Sequence, residues 1–160
     1  MTGTLSVAVA RIKKELVNLE ELEKELVAMI ERGPAEDDFE RKRAFASLLH
    51  DFYTCTEKIF QTVAKNIDQY VPEGENWHKA LLEQMALSLD DKRPPVISEK
   101  LMHVLTGYLV FRYRVRNIYG FQLEWERMEH LIRGLPGTVH NIKTEINLFI
   151  KIIEEIALSG

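Results

Sequence analysis

Residues 111–125 read FRYRVRNIYGFQLEW. Arg112, Arg114 and Arg116 fall at every second position in an otherwise apolar stretch; Asn117 and Tyr119 follow, and then Gly120. A guanidinium stays charged at any accessible pH, and its planar fork meets phosphate or carboxylate oxygens two at a time. A carboxamide can hydrogen-bond a phosphate or a hydroxyl, and a phenol both donates and accepts. Together they suit a phosphodiester or an acidic partner side chain. Residues four apart on a helix share a face, so Arg112 stacks on Arg116 and Tyr113 on Asn117, while Arg114 points elsewhere. The same arginines could instead pair with Glu124, Glu126 or Asp51 and simply tie helices together, and residue type and spacing support that at least as well.

Other side chains offer less. His103 lies about 13.5 Å along the helix from Arg112 at 1.5 Å per residue, too far to act with it in one chain. His50 is on another element, one that packing could bring to the corner. His78, His130 and His140 read as surface or boundary residues. No His/Cys/Asp/Glu set has metal-ligand spacing, so no metal and no cofactor is expected. No glycine-rich phosphate loop follows a strand, and no serine-nucleophile elbow is present. Trp77 and Trp125 read as core or dimer contacts, and EELEKELVAMIER as a solvated helix face.

The elements that must position the corner are helical. Leu5, Val9, Ile12, Leu16, Leu19, Leu22, Leu26 and Met29 recur at steps of three and four, a long first helix that stops at Gly33-Pro34. A second starts near Asp37 or Asp38, carries Phe45, Leu49, Phe52, Ile59, Val63, Ile67 and Val71, and ends at Pro72 and Gly74. A shorter helix is expected over Glu75–Ser88, then a loop through Pro94-Pro95. Ser98 should cap a fourth helix running to Tyr119, with Gly120 as its C-terminal residue. Apolar on more than one face, that helix is expected to be the most central. Pro136-Gly137 should break or kink the following segment, leaving TVHNIKTEINLFIKIIEEIAL as the last helix. The pattern describes one all-α domain over residues 1–160, an antiparallel helical bundle, whose first helix could also serve a dimer interface.

Composition bounds the setting. A net charge of −4 and a pI near 5.8 argue against broad nucleic-acid coating but leave room for a local basic site. Cys55 is the single cysteine, which rules out an intrachain disulfide and fits a reducing compartment. The N-terminus runs straight into charged, periodic sequence, so no signal peptide is expected, and no stretch has the apolar length of a membrane span. The expected location is cytoplasmic.

The corner residues also resemble a known signature. R-x4-H-x-Y at the end of a central bundle helix is characteristic of HEPN-domain proteins, the HepT type in particular. Here Arg112 is followed after four residues by Asn117 and then by Tyr119. The WHKALLEQM segment, the KRPPVIS loop and the YGFQLEWERM continuation resemble a HepT-like subgroup. The resemblance implies a metal-independent endoribonuclease toxin, a two-fold homodimer with a composite RNA site, and a cognate minimal nucleotidyltransferase antitoxin that neutralises it by AMPylation. It implies that Arg112 stabilises the scissile phosphate and that Tyr119 accepts AMP. Arg116 and Tyr113 would add phosphate and RNA contacts, with no DNA target and no membrane.

Asn117 departs from the signature. RNA cleavage without metal needs the 2′-hydroxyl deprotonated and the 5′-oxygen protonated, and histidine exchanges protons in the neutral range whereas asparagine does not. General acid–base catalysis contributes a factor of about 10² to 10⁴, so its loss leaves weak activity or none, and the sequence does not choose between an attenuated and an inactive form. The alternative is a non-catalytic module that binds RNA, a nucleotide or the nucleotidyltransferase, and a third reading is a purely structural interaction protein.

Overall fold

Three of the long helices begin where a short polar side chain meets a free backbone N–H. The structure, a computed structural model, describes residues 2–160. The Thr2 hydroxyl accepts from the Leu5 N–H at 3.3 Å and opens α1, Gly3–Glu31. Val9, Ile12, Leu16, Leu19 and Leu26 form its buried stripe. Gly33 ends it at φ 94°, a conformation that glycine adopts without cost. The Asp38 carboxylate accepts from the Arg41 N–H and opens α2, Phe39–Val63. The Arg41 guanidinium donates to the carbonyls of Met29 and Pro34 at 2.9 and 2.8 Å, tying the end of α1 to the start of α2.

The second helix does not run on to Val71 as its apolar spacing suggests. Its ladder widens into a π-helical turn, Ala64–Asp68, that ends at Gln69 in the left-handed region, φ 58°. Asp68 is held there by Arg93, whose Nη2 and Nε donate to its carboxylate at 2.8 and 2.5 Å. The same guanidinium donates to the Leu87 and Pro94 carbonyls, so one buried ion pair fixes the whole loop between the next two helices. Helix α3 is Trp77–Met85, shorter at both ends than Glu75–Ser88.

Ser98 caps α4, Glu99–Arg116, as its position predicts: its hydroxyl accepts from the Leu101 N–H at 3.1 Å. The helix stops short of Tyr119 and Gly120. Asn117 closes it, its carboxamide donating to the Tyr113 carbonyl at 2.7 Å, and Gly120 instead opens a 3-10 turn, Gly120–Gln122. The last two expected helices are one, α5, Trp125–Ser159, with Pro136 inside it. Leu131, Ile132, Leu135, Val139 and Ile142 are buried on both sides of the proline. That continuous apolar stripe outweighs one missing N–H.

The five α-helices among the described residues form an all-α bundle with no named strand. Its centre is α2, not α4: α2 packs against α1, α3, α4 and α5. Helix α4 buries Leu101, Leu105, Tyr108, Phe111 and Arg112 but leaves Val104, Val110 and Tyr113 exposed. Of these, Val110 and Tyr113 stand one turn apart on the side turned away from the bundle. No helix among the described residues is long and apolar enough to cross a membrane.

Candidate functional site

The end of α4 divides the corner residues between two environments. Arg112 faces inward and is 4% exposed. Its Nη2 donates to both oxygens of Glu57 at 3.1 and 3.3 Å, and its Nη1 donates to the Thr54 hydroxyl at 3.3 Å. The guanidinium also lies 4.8 Å from the centre of the Tyr53 ring. Glu57 is itself 6% exposed, so a buried cation meets a buried anion. This is the helix-tying arrangement that arginine chemistry also allows, with Glu57 in place of Glu124, Glu126 or Asp51.

A histidine closes the cluster. Nδ1 of His78, on α3, is 2.7 Å from a Glu57 oxygen and 2.8 Å from Nη2 of Arg112, and the ring stacks on Trp77 at 3.6 Å. A neutral ring nitrogen either donates or accepts, so Nδ1 serves the carboxylate or the guanidinium in any one state. Beneath them the Tyr53 hydroxyl is buried with no hydrogen-bond partner. Burial raises its pKa well above the phenol range; the Glu57 charge adds to the rise and Arg112 opposes it.

The remaining corner residues face solvent. Arg116, Asn117 and Tyr113 are exposed, and Arg116 makes no ion pair among the described residues. Arg114 points toward Glu124, 3.8 Å away, which Arg127 also holds at 2.7 Å. Those neighbours, Arg127 first, keep the Glu124 carboxyl below its ordinary pKa. Tyr119 is 71% exposed and stacks on Phe121 with ring centres 5.4 Å apart, while its N–H donates to the Gln122 side chain at 2.8 Å. Arg116, Asn117, Tyr113 and Tyr119 thus share the exposed end of α4. Arg112 belongs to the seam behind them.

Residue type and spacing gave Glu57 no role and placed His78 only as a surface or boundary residue, which its half-buried ring is. Glu57 could have been found: Ala46, Tyr53, Phe60 and Ala64 form a second buried row on α2, and Glu57 is the one carboxylate in it. His78 had no such signal, since its partners lie far away in sequence.

A family described as HepT-like protein matches residues 44–153, more than half of the chain. The chain belongs to the HepT-like protein family. The matched stretch takes in most of α2, all of α3 and α4, and α5 as far as Ile153; α1 lies outside it. Both halves of the divided corner, Arg112 with Glu57 and the exposed Arg116–Tyr119 end, fall within it. The helical fold and the family together identify a HEPN-type module. No curated protein and no solved structure matches the HepT-like chain.

Proposed function

We infer that this HepT-like protein is an endoribonuclease toxin component, attenuated by Asn117 and neutralised by a cognate minimal nucleotidyltransferase that transfers AMP to Tyr119. Family membership supports the class. The observation that carries the finer reading is the exposed phenol of Tyr119 at the end of α4, beside Arg116 and Asn117. In the transfer, the phenolic oxygen attacks the α-phosphorus of ATP, pyrophosphate leaves, and the phenolic proton passes to solvent. Exposure is what a large protein partner needs in order to reach that oxygen.

In the ribonuclease the phosphate cation is Arg116. Arg112 is neutralised by Glu57 and holds α4 against α2, so it sets where Arg116 and Asn117 stand. Asn117 hydrogen-bonds RNA but moves no proton. The homodimer forms across the outward side of α4, where Val110 and Tyr113, one turn apart, lack apolar partners, and a two-fold axis there brings two Arg116–Tyr119 corners into one cleft.

Incubation with the candidate nucleotidyltransferase and ATP, followed by peptide mass analysis, tests the assignment. An AMP adduct on the Tyr119 peptide, absent from Tyr119→Phe, is the expected result. An adduct on another residue, or none with an active partner, overturns it. One observation favours a binding module that does not cut: the Asn117 carboxamide already donates to the Tyr113 carbonyl, leaving no acid–base group at the motif position. RNA affinity that falls with salt, without cleavage, distinguishes that reading.

A further inference from the structure

A groove of about 260 Å³ runs between α2 and the end of α4. Arg43, Ser47 and His50 line it from α2, Val115 from α4, and Ile118, Tyr119 and Gly120 from the segment beyond it. Residues 43, 47 and 50 are spaced four and three apart, so all three side chains look out from one face of α2. Helix α4 runs back along this part of α2: Arg112 meets Thr54 and Glu57, and Gly120 meets Arg43. The Arg43 guanidinium lies directly over Gly120, where a Cβ would collide with it. Glycine is therefore what lets this cation sit against the turn.

Three features make the groove chemically capable. Arg43 is exposed and makes no ion pair or hydrogen bond among the described residues, so its charge is available. His50 is half-buried, and no hydrogen bond engages its ring. Tyr119 and Phe121 are stacked, nearly parallel at 11°, and both are largely exposed at the rim. A free guanidinium, a free imidazole and an exposed aromatic pair are what a single-stranded nucleotide asks for: a cation for its phosphate, a proton acceptor for its 2′-hydroxyl and a π-surface for its base.

We propose that this groove seats one nucleotide of single-stranded RNA, with Arg43 on its 5′-phosphate, the Tyr119–Phe121 pair against the base and His50 at the 2′-hydroxyl, the scissile 3′-phosphate being left to Arg116. This rests on the ribonuclease reading and supplies the histidine that position 117 lacks. In the cleavage step His50 takes the 2′-hydroxyl proton, the 2′-oxygen bonds to phosphorus, and the bond from phosphorus to the 5′-oxygen breaks. The proton passes from the imidazolium through a water to the leaving 5′-oxygen. The products are a 2′,3′-cyclic phosphate and a 5′-hydroxyl, with no net gain or loss of protons. AMP esterified to Tyr119 would carry its own phosphodiester and adenine into the same groove, so modification and RNA would exclude one another.

Two probes test this on the full chain. A short single-stranded 2′-deoxy oligonucleotide, which cannot be cleaved by this route, is titrated while NMR follows the His50 ring and the Arg43 side chain. Both signals shift, and Arg43→Ala weakens binding and lowers the slope of log affinity against log salt by about one. Absence of any shift with the oligonucleotide, even where adenosine 5′-monophosphate shifts both signals, overturns the strand site. The same sequence as RNA is then offered in chelator. His50→Gln lowers cleavage about 10²-fold while oligonucleotide affinity stays within about twofold. Cleavage unchanged in His50→Gln overturns the role of His50 and leaves the ribonuclease reading standing. No cleavage by the native chain, with both NMR signals still shifting, removes the ribonuclease reading and the His50 proton transfer while keeping the groove as a nucleotide seat.

Discussion

Arg112 shows how far a residue's chemistry is decided by what it is buried against. The sequence displays three cations in a row, and residue type alone makes each a phosphate ligand. Packing removes one of them, because Glu57 lies opposite Arg112 inside the α2–α4 seam. Breaking a buried pair from one side leaves a bare charge, so Glu57→Ala should destabilise the fold by about 3–5 kcal/mol in urea unfolding, whereas Arg112→Met combined with Glu57→Leu should cost far less. A single Glu57→Ala as stable as the native chain would show that the pair is not buried. At Gly120 the outcome is reversed. Gly120→Ala displaces only the flexible Arg43 side chain, so stability should change by about 0.5 kcal/mol or less while oligonucleotide affinity falls. Affinity equal to that of the native chain would separate Arg43 from RNA binding. The polar corner of Arg116, Asn117 and Tyr119 was legible as a pattern from type and spacing, because exposed side chains depend least on their neighbours. Glu57 showed only as the one carboxylate in a buried row, and the roles of His78 and Arg43 were not legible, because they come from residues 21 to 77 positions away in sequence.

At the scale of elements, apolar periodicity and caps located most helices, and Ser98 is the clearest case. Its hydroxyl caps the Leu101 N–H, and its own N–H and hydroxyl donate to Glu145 of α5. Ser98→Ala should lower stability by about 1 kcal/mol, the usual value of an N-cap, measured as a shift in the urea midpoint. What periodicity could not weigh was local punctuation against tertiary packing. Pro136-Gly137 reads as a break, yet α5 passes through it because its buried stripe continues on both sides. Pro136→Ala restores a donor to that helix and should raise stability by about 1–3 kcal/mol. A lower melting temperature would mean that the proline sets a bend the bundle needs. The end of α2 went the other way: apolar spacing continues to Val71, but Arg93 captures Asp68 and the helix gives way to a π turn. The end of α4 was also misread, since Asn117 closes it three residues before the expected glycine.

The whole molecule is a bundle centred on α2 whose α4 has one face committed and one face free. That α4 carries apolar residues on more than one side was legible; that Val110 and Tyr113 are the ones turned outward needed the three-dimensional packing. If the free face is the two-fold contact, Val110→Glu should convert a dimer to a folded monomer in sedimentation velocity. A native chain that is already monomeric at high concentration would contradict the dimer. Alkaline stability tests the core behind it. Burial raises the pKa of both Tyr53 and Cys55, the latter helped by its hydrogen bonds to Glu15, so the fold favours their neutral forms. Their contribution is therefore complete below the ordinary thiol and phenol values of about 8.5 and 10 and is lost as the pH climbs above them. The urea midpoint should fall between pH 8 and pH 10.5 on these values, and the Cys55 thiol should resist alkylation at neutral pH.

The central claim is that a HepT-like chain with asparagine at the motif position is an attenuated ribonuclease whose free phosphate cation is Arg116. An RNA-cleavage assay in chelator, with the native chain beside Asn117→His and Arg116→Ala, tests it most directly. The account predicts weak cleavage by the native chain, a gain of about tenfold or more in Asn117→His, within the range of general acid–base catalysis, and none in Arg116→Ala. No cleavage by the native chain or by Asn117→His, or cleavage that Arg116→Ala leaves unchanged, would contradict it.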